Sequence, residues 1–165
     1  MKKCEILCII FIAVLLISGC KEDSTSPTPT QEEVNKIFFN GAGYNNVSAF
    51  PYLTAGVYNS GTNRMGMGFY CMIGSDTVAL FLYFPGQSTG TFPWQTADNY
   101  ALFFKSSVST LYYNSVNSGT TVVTGCSGVG QKIEGNFSGK LNTHSVPYDT
   151  ISVSCNKFSV TRSMK

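Results

Sequence analysis

The clearest pattern along the chain is a strict alternation of apolar and polar positions between residues 132 and 142. Because successive side chains of a strand point to opposite faces, this alternation predicts a β-strand with one buried and one solvated face. The inward set is Ile133, Gly135, Phe137, Gly139 and Leu141. Residues 64–73 alternate in the same way and predict a second strand of this kind. Its inward set is Met65, Met67, Phe69, Cys71 and Ile73.

Residues 78–84 form a strand that is apolar on both faces. One face carries Val78, Leu80, Leu82 and Phe84, and the other carries Ala79, Phe81 and Tyr83. A strand of this kind is either covered on both sides or presents an aromatic surface that binds a ligand. Burial is the favoured interpretation, and Phe81 and Tyr83 remain candidates for stacking on a ligand. Residues 100–104 (YALFF) show the same ambiguity.

Turn-forming residues separate these short runs, and helical periodicity is nearly absent. Clusters of Gly, Asn, Ser and Pro predict turns at 59–63, 85–90, 114–119 and 125–131. Near the end of the chain the inward phase changes parity between Cys155 and Phe158, which predicts a bulge or a tight turn at Asn156-Lys157. The expected fold is all-β, a single antiparallel β-sandwich or a partly closed barrel.

The N-terminus has the pattern of a secretory signal. Lys2 and Lys3 precede an apolar run from Ile6 to Ile17, which is shorter than the roughly 20 residues that a membrane-spanning helix needs. The run ends in Ile17-Ser18-Gly19-Cys20, which resembles the lipobox of bacterial lipoproteins. That resemblance implies cleavage between Gly19 and Cys20 and a diacylglyceryl group on the Cys20 thiol. The alternatives are a short uncleaved membrane anchor and an ordinary cleaved signal.

The sequence therefore divides into three parts. Residues 1–19 form the expected signal peptide, 20–35 a lipidated cysteine and a polar tether, and 36–165 the β domain. Lys21, Glu22 and Asp23 resemble the lysine-plus-acids signal that exports some lipoproteins to the cell surface. The alternative is a charged linker that simply stays solvated. The expected location is the outer membrane, on its surface or its periplasmic face, attached through the lipid anchor.

Charge excludes some partners of the β domain. From Lys36 onward the chain contains eight Lys and Arg residues and four acidic residues, and the basic residues are scattered along it. Scattered cations predict no nucleic-acid interface and no anionic membrane face.

The C-terminal third is similar to a β domain found in bacterial lipoproteins of unknown function. The matching residues begin with Val129 and Gly130 and include the inward set of residues 133–141, Ser138, Phe158 and Val160. Asn156-Lys157 stands where that family usually has Asn-Gly. Every matching residue is a turn glycine or a core position, so the resemblance implies a fold and no active site.

Residues that carry catalytic or metal chemistry are scarce. The single histidine, His144, is expected in an exposed loop, and no nucleophile motif surrounds it. The four acids of the domain are Asp76, Asp98, Glu134 and Asp149; the first and last are expected in turns and Glu134 in solvent. One histidine and dispersed thiols form no metal pattern. We expect no enzyme activity, no metal and no cofactor.

Three cysteines and one tryptophan leave alternatives open. Cys71, Cys126 and Cys155 allow at most one internal disulfide, with all three reduced as the favoured alternative. Trp94 either stacks on a ligand or plugs one end of the fold, and the plug is favoured.

The expected function is non-enzymatic binding or scaffolding, with a glycan, peptide or protein partner. The alternatives are a calycin-like carrier of a small apolar ligand and a carbohydrate-active hydrolase. The carrier requires an enclosed cavity, and the hydrolase requires two facing acids.

Overall fold

Ten β-strands account for most of the fold. A computed structural model describes residues 33–95, 98–143 and 148–163. The strands are β1 (Ile37–Gly41), β2 (Tyr44–Ala49), β3 (Pro51–Asn59), β4 (Arg64–Ile73), β5 (Asp76–Pro85), β6 (Gly90–Pro93), β7 (Tyr100–Lys105), β8 (Thr110–Cys126), β9 (Lys132–Asn142) and β10 (Thr150–Ser163). Within the described ranges the one helical element is a 3₁₀ turn at Ser106–Val108. The all-β prediction is confirmed.

The strands form one hydrogen-bonded sheet that returns to its start. From β3 the antiparallel path runs through β4, β5, β7, β8 and β9 to β10. The end of β10 then pairs with β3 in parallel, Arg162 with Gly56 and Ser163 with Val57. β1 pairs with the first half of β10 and with β2, and β6 pairs with β8. This closure gives the partly closed barrel form of the expected fold, with one short parallel contact that the sequence did not predict.

The inward faces of the strands form one hydrophobic core. The alternation in β4 and β9 is confirmed, because Met65, Met67 and Phe69 of β4 and Phe137 and Leu141 of β9 are almost completely buried. The predicted inward face of β5 is buried as well: Val78, Leu80, Leu82 and Phe84. Large side chains from opposite walls meet in the interior, which is therefore packed with the protein's own side chains.

A bulge in β10 explains its change of phase. Cys155 lies opposite Phe137 and Phe158 lies opposite Gly135, so two residues of β10 lie opposite the single residue Asn136 of β9. These two residues are Asn156 and Lys157, and the one extra residue lets the inward positions on both sides of the bulge reach the core. The predicted irregularity is confirmed, and it is a bulge within a continuous strand.

The turn predicted at residues 114–119 is wrong. β8 runs through this segment, and its pairing with β9 shifts register between Asn114 and Gly119. The Asn114 side chain is buried and accepts a hydrogen bond from the Ala101 amide at 2.9 Å. Asn117 has a positive φ of 57° and donates its N–H to the Trp94 carbonyl. The residues that resemble a turn therefore make an irregular bulge.

Asn35, which the sequence assigned to the end of the tether, belongs to the β domain because it is hydrogen-bonded to β10. The Asn35 amide donates to the Lys157 carbonyl at 2.8 Å, and the Asn35 side chain exchanges two hydrogen bonds with the Ser159 backbone. The expected signal peptide (1–19), Cys20, the Lys21-Glu22-Asp23 signal and His144 lie outside the described residues. Within the described part of the chain, no helix has the length and apolarity needed to cross a membrane.

Candidate functional site

A groove of about 400 Å³ lies on the outer face of strands β3, β4, β5 and β7. Directly paired residues on neighbouring strands point to the same face of a sheet. One row across the four strands is Val57, Gly66, Tyr83 and Tyr100, and the next begins Ala55, Gly68, Phe81. Each row thus has a small aliphatic residue, a glycine and an aromatic ring in order. We call this site the aromatic groove.

The two glycines of β4 make the room that the rings occupy. A side chain at Gly66 would bring its Cβ within 3.0 Å of the Tyr83 ring. At Gly68 the Cβ would lie 3.4 Å from the Phe81 ring. Outward glycines on a sheet face allow aromatic side chains of the neighbouring strand to lean across them. The groove therefore runs along β4, with aromatic rings on its β5 side.

The rings of the groove contact one another in pairs. Tyr83 stacks on Tyr100 with ring centres 4.4 Å apart, and Tyr70 meets the Phe81 ring edge-on at 5.7 Å. Burial, and next the neighbouring Tyr100 and Tyr70, raise the pKa of Tyr83 above its ordinary value. The Tyr83 hydroxyl is therefore neutral at ordinary pH and is able to donate a hydrogen bond. Ring pairing of this kind fixes the orientation of the aromatic wall.

The polar end of the groove lies at the β3–β4 turn. Asn59, Thr62 and Arg64 line this end, and among the described residues that line the groove Arg64 is the only charged one. The Arg64 guanidinium lies over the Tyr100 ring, 5.5 Å from its centre. Its Nη2 also binds the Asp98 carboxylate at 3.1 Å. The site thus combines an aromatic wall with a cationic end, and the two together extend about 20 Å, from Arg64 to Tyr70 at about 3.3 Å per residue.

Two of the three candidate stacking residues lie in this groove. Phe81 and Tyr83 line it and are partly exposed, so the favoured interpretation, full burial of both faces of β5, is wrong for these two residues. Trp94 is fully buried, and its Nε1 donates to the Thr121 hydroxyl at 2.9 Å. Stacking on a ligand needs an exposed ring face, which the buried Trp94 lacks, so Trp94 is a core side chain.

A second groove, of about 520 Å³, lies on the outer face of β1, β8, β9 and β10. Phe38, Phe39 and Val153 line it beside many hydroxyl and amide side chains, which include Asn40, Asn117, Thr120, Ser138 and Ser152. The outer surface of the barrel therefore has an aromatic side and a hydroxyl-rich side.

The four acids of the domain have separate partners. Asp76 accepts from the Tyr44 hydroxyl at 3.1 Å, and Asp149 accepts from the Tyr112 hydroxyl at 2.9 Å. Glu134 accepts from the Ser159 hydroxyl, and Asp98 binds Arg64. Asp149 also accepts the Thr150 amide, the turn role expected for it. Each acid has a local structural partner of its own, so these contacts assemble no pair of facing acids.

The three thiols are free, and two of them are buried. Burial, and to a lesser degree the neighbouring Cys155, raise the pKa of Cys71 to about 12. Burial raises the pKa of Cys155 to about 11. Thiols with such pKa values are poor nucleophiles at neutral pH and act here as small core side chains. Among the described residues no group of three or more His, Cys, Asp and Glu could hold a metal ion.

We expect the Asp76 network to make the domain acid-sensitive. Hydrogen bonds from Ser107 and Tyr44 and the Lys105 charge hold the pKa of Asp76 below its ordinary value. The folded state therefore gains stability above the unfolded pKa of about 3.9, and that gain is lost as the pH falls through the lower folded value. Urea melts between pH 6 and pH 2 should show a steeper loss for the wild type than for Asp76→Asn. Tyr44→Phe, which removes one donor, should be intermediate, and parallel curves for all three proteins would contradict the expectation.

Arg64 was not singled out from the sequence. Tyr100 lies in the doubly apolar segment 100–104 and Asn59 and Thr62 in the predicted turn 59–63, but none of them was named as a site residue. Strand register brings them to the groove, and only the outward glycines at 66 and 68 could have indicated a hollow there. Comparison of the chain with protein-family models, with curated proteins and with solved structures finds no match in any of the three.

Proposed function

We propose that the β domain is a non-enzymatic glycan-binding module and that the aromatic groove is its binding site. The observation that carries this proposal is the row of partly exposed rings along β5 and β7, beside a glycine floor and a polar end. A pyranose ring has an apolar face of C–H groups and an edge of hydroxyls. The aromatic rings can stack on the C–H face of the sugar. Its hydroxyl edge can form hydrogen bonds with Asn59, Thr62 and Arg64.

The shape of the groove favours an oligosaccharide. The groove is open and elongated, and its aromatic wall continues over several residues of β4 and β5. Several sugar rings in a row would each find an apolar surface along such a wall. A linear chain uses this length, whereas one monosaccharide would use only part of it.

Packing in the barrel interior disfavours the carrier alternative. An apolar carrier needs an enclosed cavity, and here the inward side chains of opposite walls contact one another. Phe69 of β4, for example, lies 5.7 Å from Phe137 of β9 between ring centres. The separate partners of the four acids likewise disfavour the hydrolase alternative.

Glycan binding is testable with the purified chain on an immobilised panel of oligosaccharides, followed by titration calorimetry with those that bind. We expect Phe81→Ala and Tyr83→Ala each to weaken binding about tenfold, because each removes a stacking surface. Tyr52→Ala is the matched control, since Tyr52 is well exposed and lies outside the groove. Absence of binding to every member of the panel, or equal losses for Tyr52→Ala, would refute the proposal.

We propose further that a lipid on Cys20 holds this module at the outer membrane. The lipobox-like residues 17–20, the short apolar run before them and the polar tether after them support this anchor. Lys21, Glu22 and Asp23 then act as an export signal or as a solvated linker.

Metabolic labelling with a fatty-acid analogue should mark the wild-type protein, and Cys20→Ala should abolish the label because the acceptor thiol is gone. Cys126→Ala, which removes a thiol of the β domain, is the matched control and should keep the label. A labelled Cys20→Ala protein would contradict the anchor.

A further inference from the structure

We infer that the aromatic groove selects acidic glycans, in which sugar rings carry carboxylates, and that Arg64 is the specificity-determining residue. This inference rests on the glycan-binding function proposed above and adds the class of ligand. The ligands it identifies are uronate-containing oligosaccharides.

The charge of the groove favours an acidic ligand. Arg64 is the only charged residue among the described residues that line the groove, and its ion-pair partner Asp98 lies outside the lining. A neutral glycan accepts hydrogen bonds from Arg64 through its hydroxyls. An acidic glycan accepts them through a carboxylate, which adds the attraction of opposite charges and allows a bidentate pair.

Arg64 lies where it can bind a carboxylate on a sugar that stacks on the aromatic wall. Its guanidinium lies 5.5 Å from the Tyr100 ring centre, and Tyr100 stacks on Tyr83. The cation is therefore held beside the aromatic wall on which a sugar ring would stack. A planar guanidinium presents paired donors that match the two oxygens of a carboxylate. A uronate ring lying on the wall near Tyr83 can bring its carboxylate to these donors.

The ion pair between Arg64 and Asp98 is weak enough for a ligand to replace it. Asp98 binds Arg64 at 3.1 Å, and its side chain is 71% exposed. An exposed ion pair of this kind contributes only about 0–1 kcal/mol. The Asp98 carboxylate is thus bound to a donor group for which a ligand carboxylate would compete. A uronate that also stacks on the aromatic wall would displace it, because Asp98 gains no stacking in return.

The test compares matched acidic and neutral ligands on the full chain. The probes are oligogalacturonate and oligoglucuronate, each beside its methyl ester, which keeps the rings and hydroxyls and removes the charge. Titration calorimetry should give an affinity for the acids about tenfold or more above that for the esters. Arg64→Gln should bring the acids down to the affinity of the esters, which themselves lose less because glutamine still donates a hydrogen bond to their hydroxyls.

Asp98→Asn provides a second readout of opposite sign. It removes the internal competitor, so the acids should bind up to about fivefold more tightly while the esters stay unchanged.

Trp94 fluorescence shows whether each variant is folded. Equal binding of acids and esters would overturn the acidic preference while glycan binding stands. Preference that survives Arg64→Gln would overturn the role of Arg64. Binding to no member of the wider oligosaccharide panel would refute the proposed function itself.

Discussion

Replacing Phe137 with alanine is expected to destabilise the domain by about 3–5 kcal/mol. Phe137 is almost completely buried, and its ring centre lies 5.7 Å from that of Phe69 and 6.2 Å from that of Phe158. These three rings join β4, β9 and β10 across the core. Alanine leaves a cavity between walls that the hydrogen-bonded ring of strands holds apart, so the site cannot easily collapse.

Lys140→Ala is the control for this prediction, because Lys140 lies three residues away on the solvated face of β9. A surface change of this kind usually alters the free energy of unfolding by less than about 0.5 kcal/mol. Urea melts of both variants, followed by circular dichroism, measure the difference. Equal losses at the two positions would contradict the assignment of faces on β9.

Replacing Gly139 with alanine is expected to displace Trp94 and to cost about 3 kcal/mol or more. Gly139 of β9 pairs with Gly119 of β8, and the Trp94 ring lies against both. A Cβ at Gly139 would overlap the ring and would lie 2.6 Å from the Gly119 Cα. Neither strand can move away without breaking the backbone hydrogen bonds that pair it with its neighbours. The indole must therefore move, and its hydrogen bond to Thr121 is lost.

Fluorescence measures this displacement directly, because Trp94 is the one tryptophan of the chain. The wild type should emit at the short wavelengths of a buried indole, and Gly139→Ala should emit at longer wavelengths with a lower urea midpoint. Ser138→Ala, one residue away and exposed, should match the wild type in both measurements. A Gly139→Ala protein with unchanged emission and midpoint would show that Trp94 does not need this glycine pair.

Local alternation predicted the strands best where one face is buried and the other solvated. β4 and β9 satisfy this condition, and their inward residues are those expected from the sequence. β8 does not satisfy it at residues 114–119, because the same residue types form turns and bulges. What distinguishes the bulge is the contact of Asn114 with Ala101 and that of Asn117 with Trp94, and both depend on strands that pair only after folding.

The aromatic groove was predictable only in part for the same reason. Phe81 and Tyr83 stood out because their strand is apolar on both faces. Arg64 and Tyr100 could not be added, because their proximity follows from the register of β4 with β5 and of β5 with β7. The β4–β5 loop has only two residues, which ties that register to a tight turn, whereas β5 and β7 are separated by β6 and no hairpin turn determines how they pair.

The pairing of the first strand with the last has a consequence for the time course of folding. Ile37 pairs with Cys155, so β1 and β2 have no sheet to join until the C-terminal strand is present. Proteins dominated by contacts between residues distant in sequence fold slowly, in milliseconds to seconds. A chain exported by the route proposed above crosses the inner membrane from its N-terminus onward. Because the barrel cannot close before β10 emerges, we expect the chain to stay open and competent for translocation until that strand has been made.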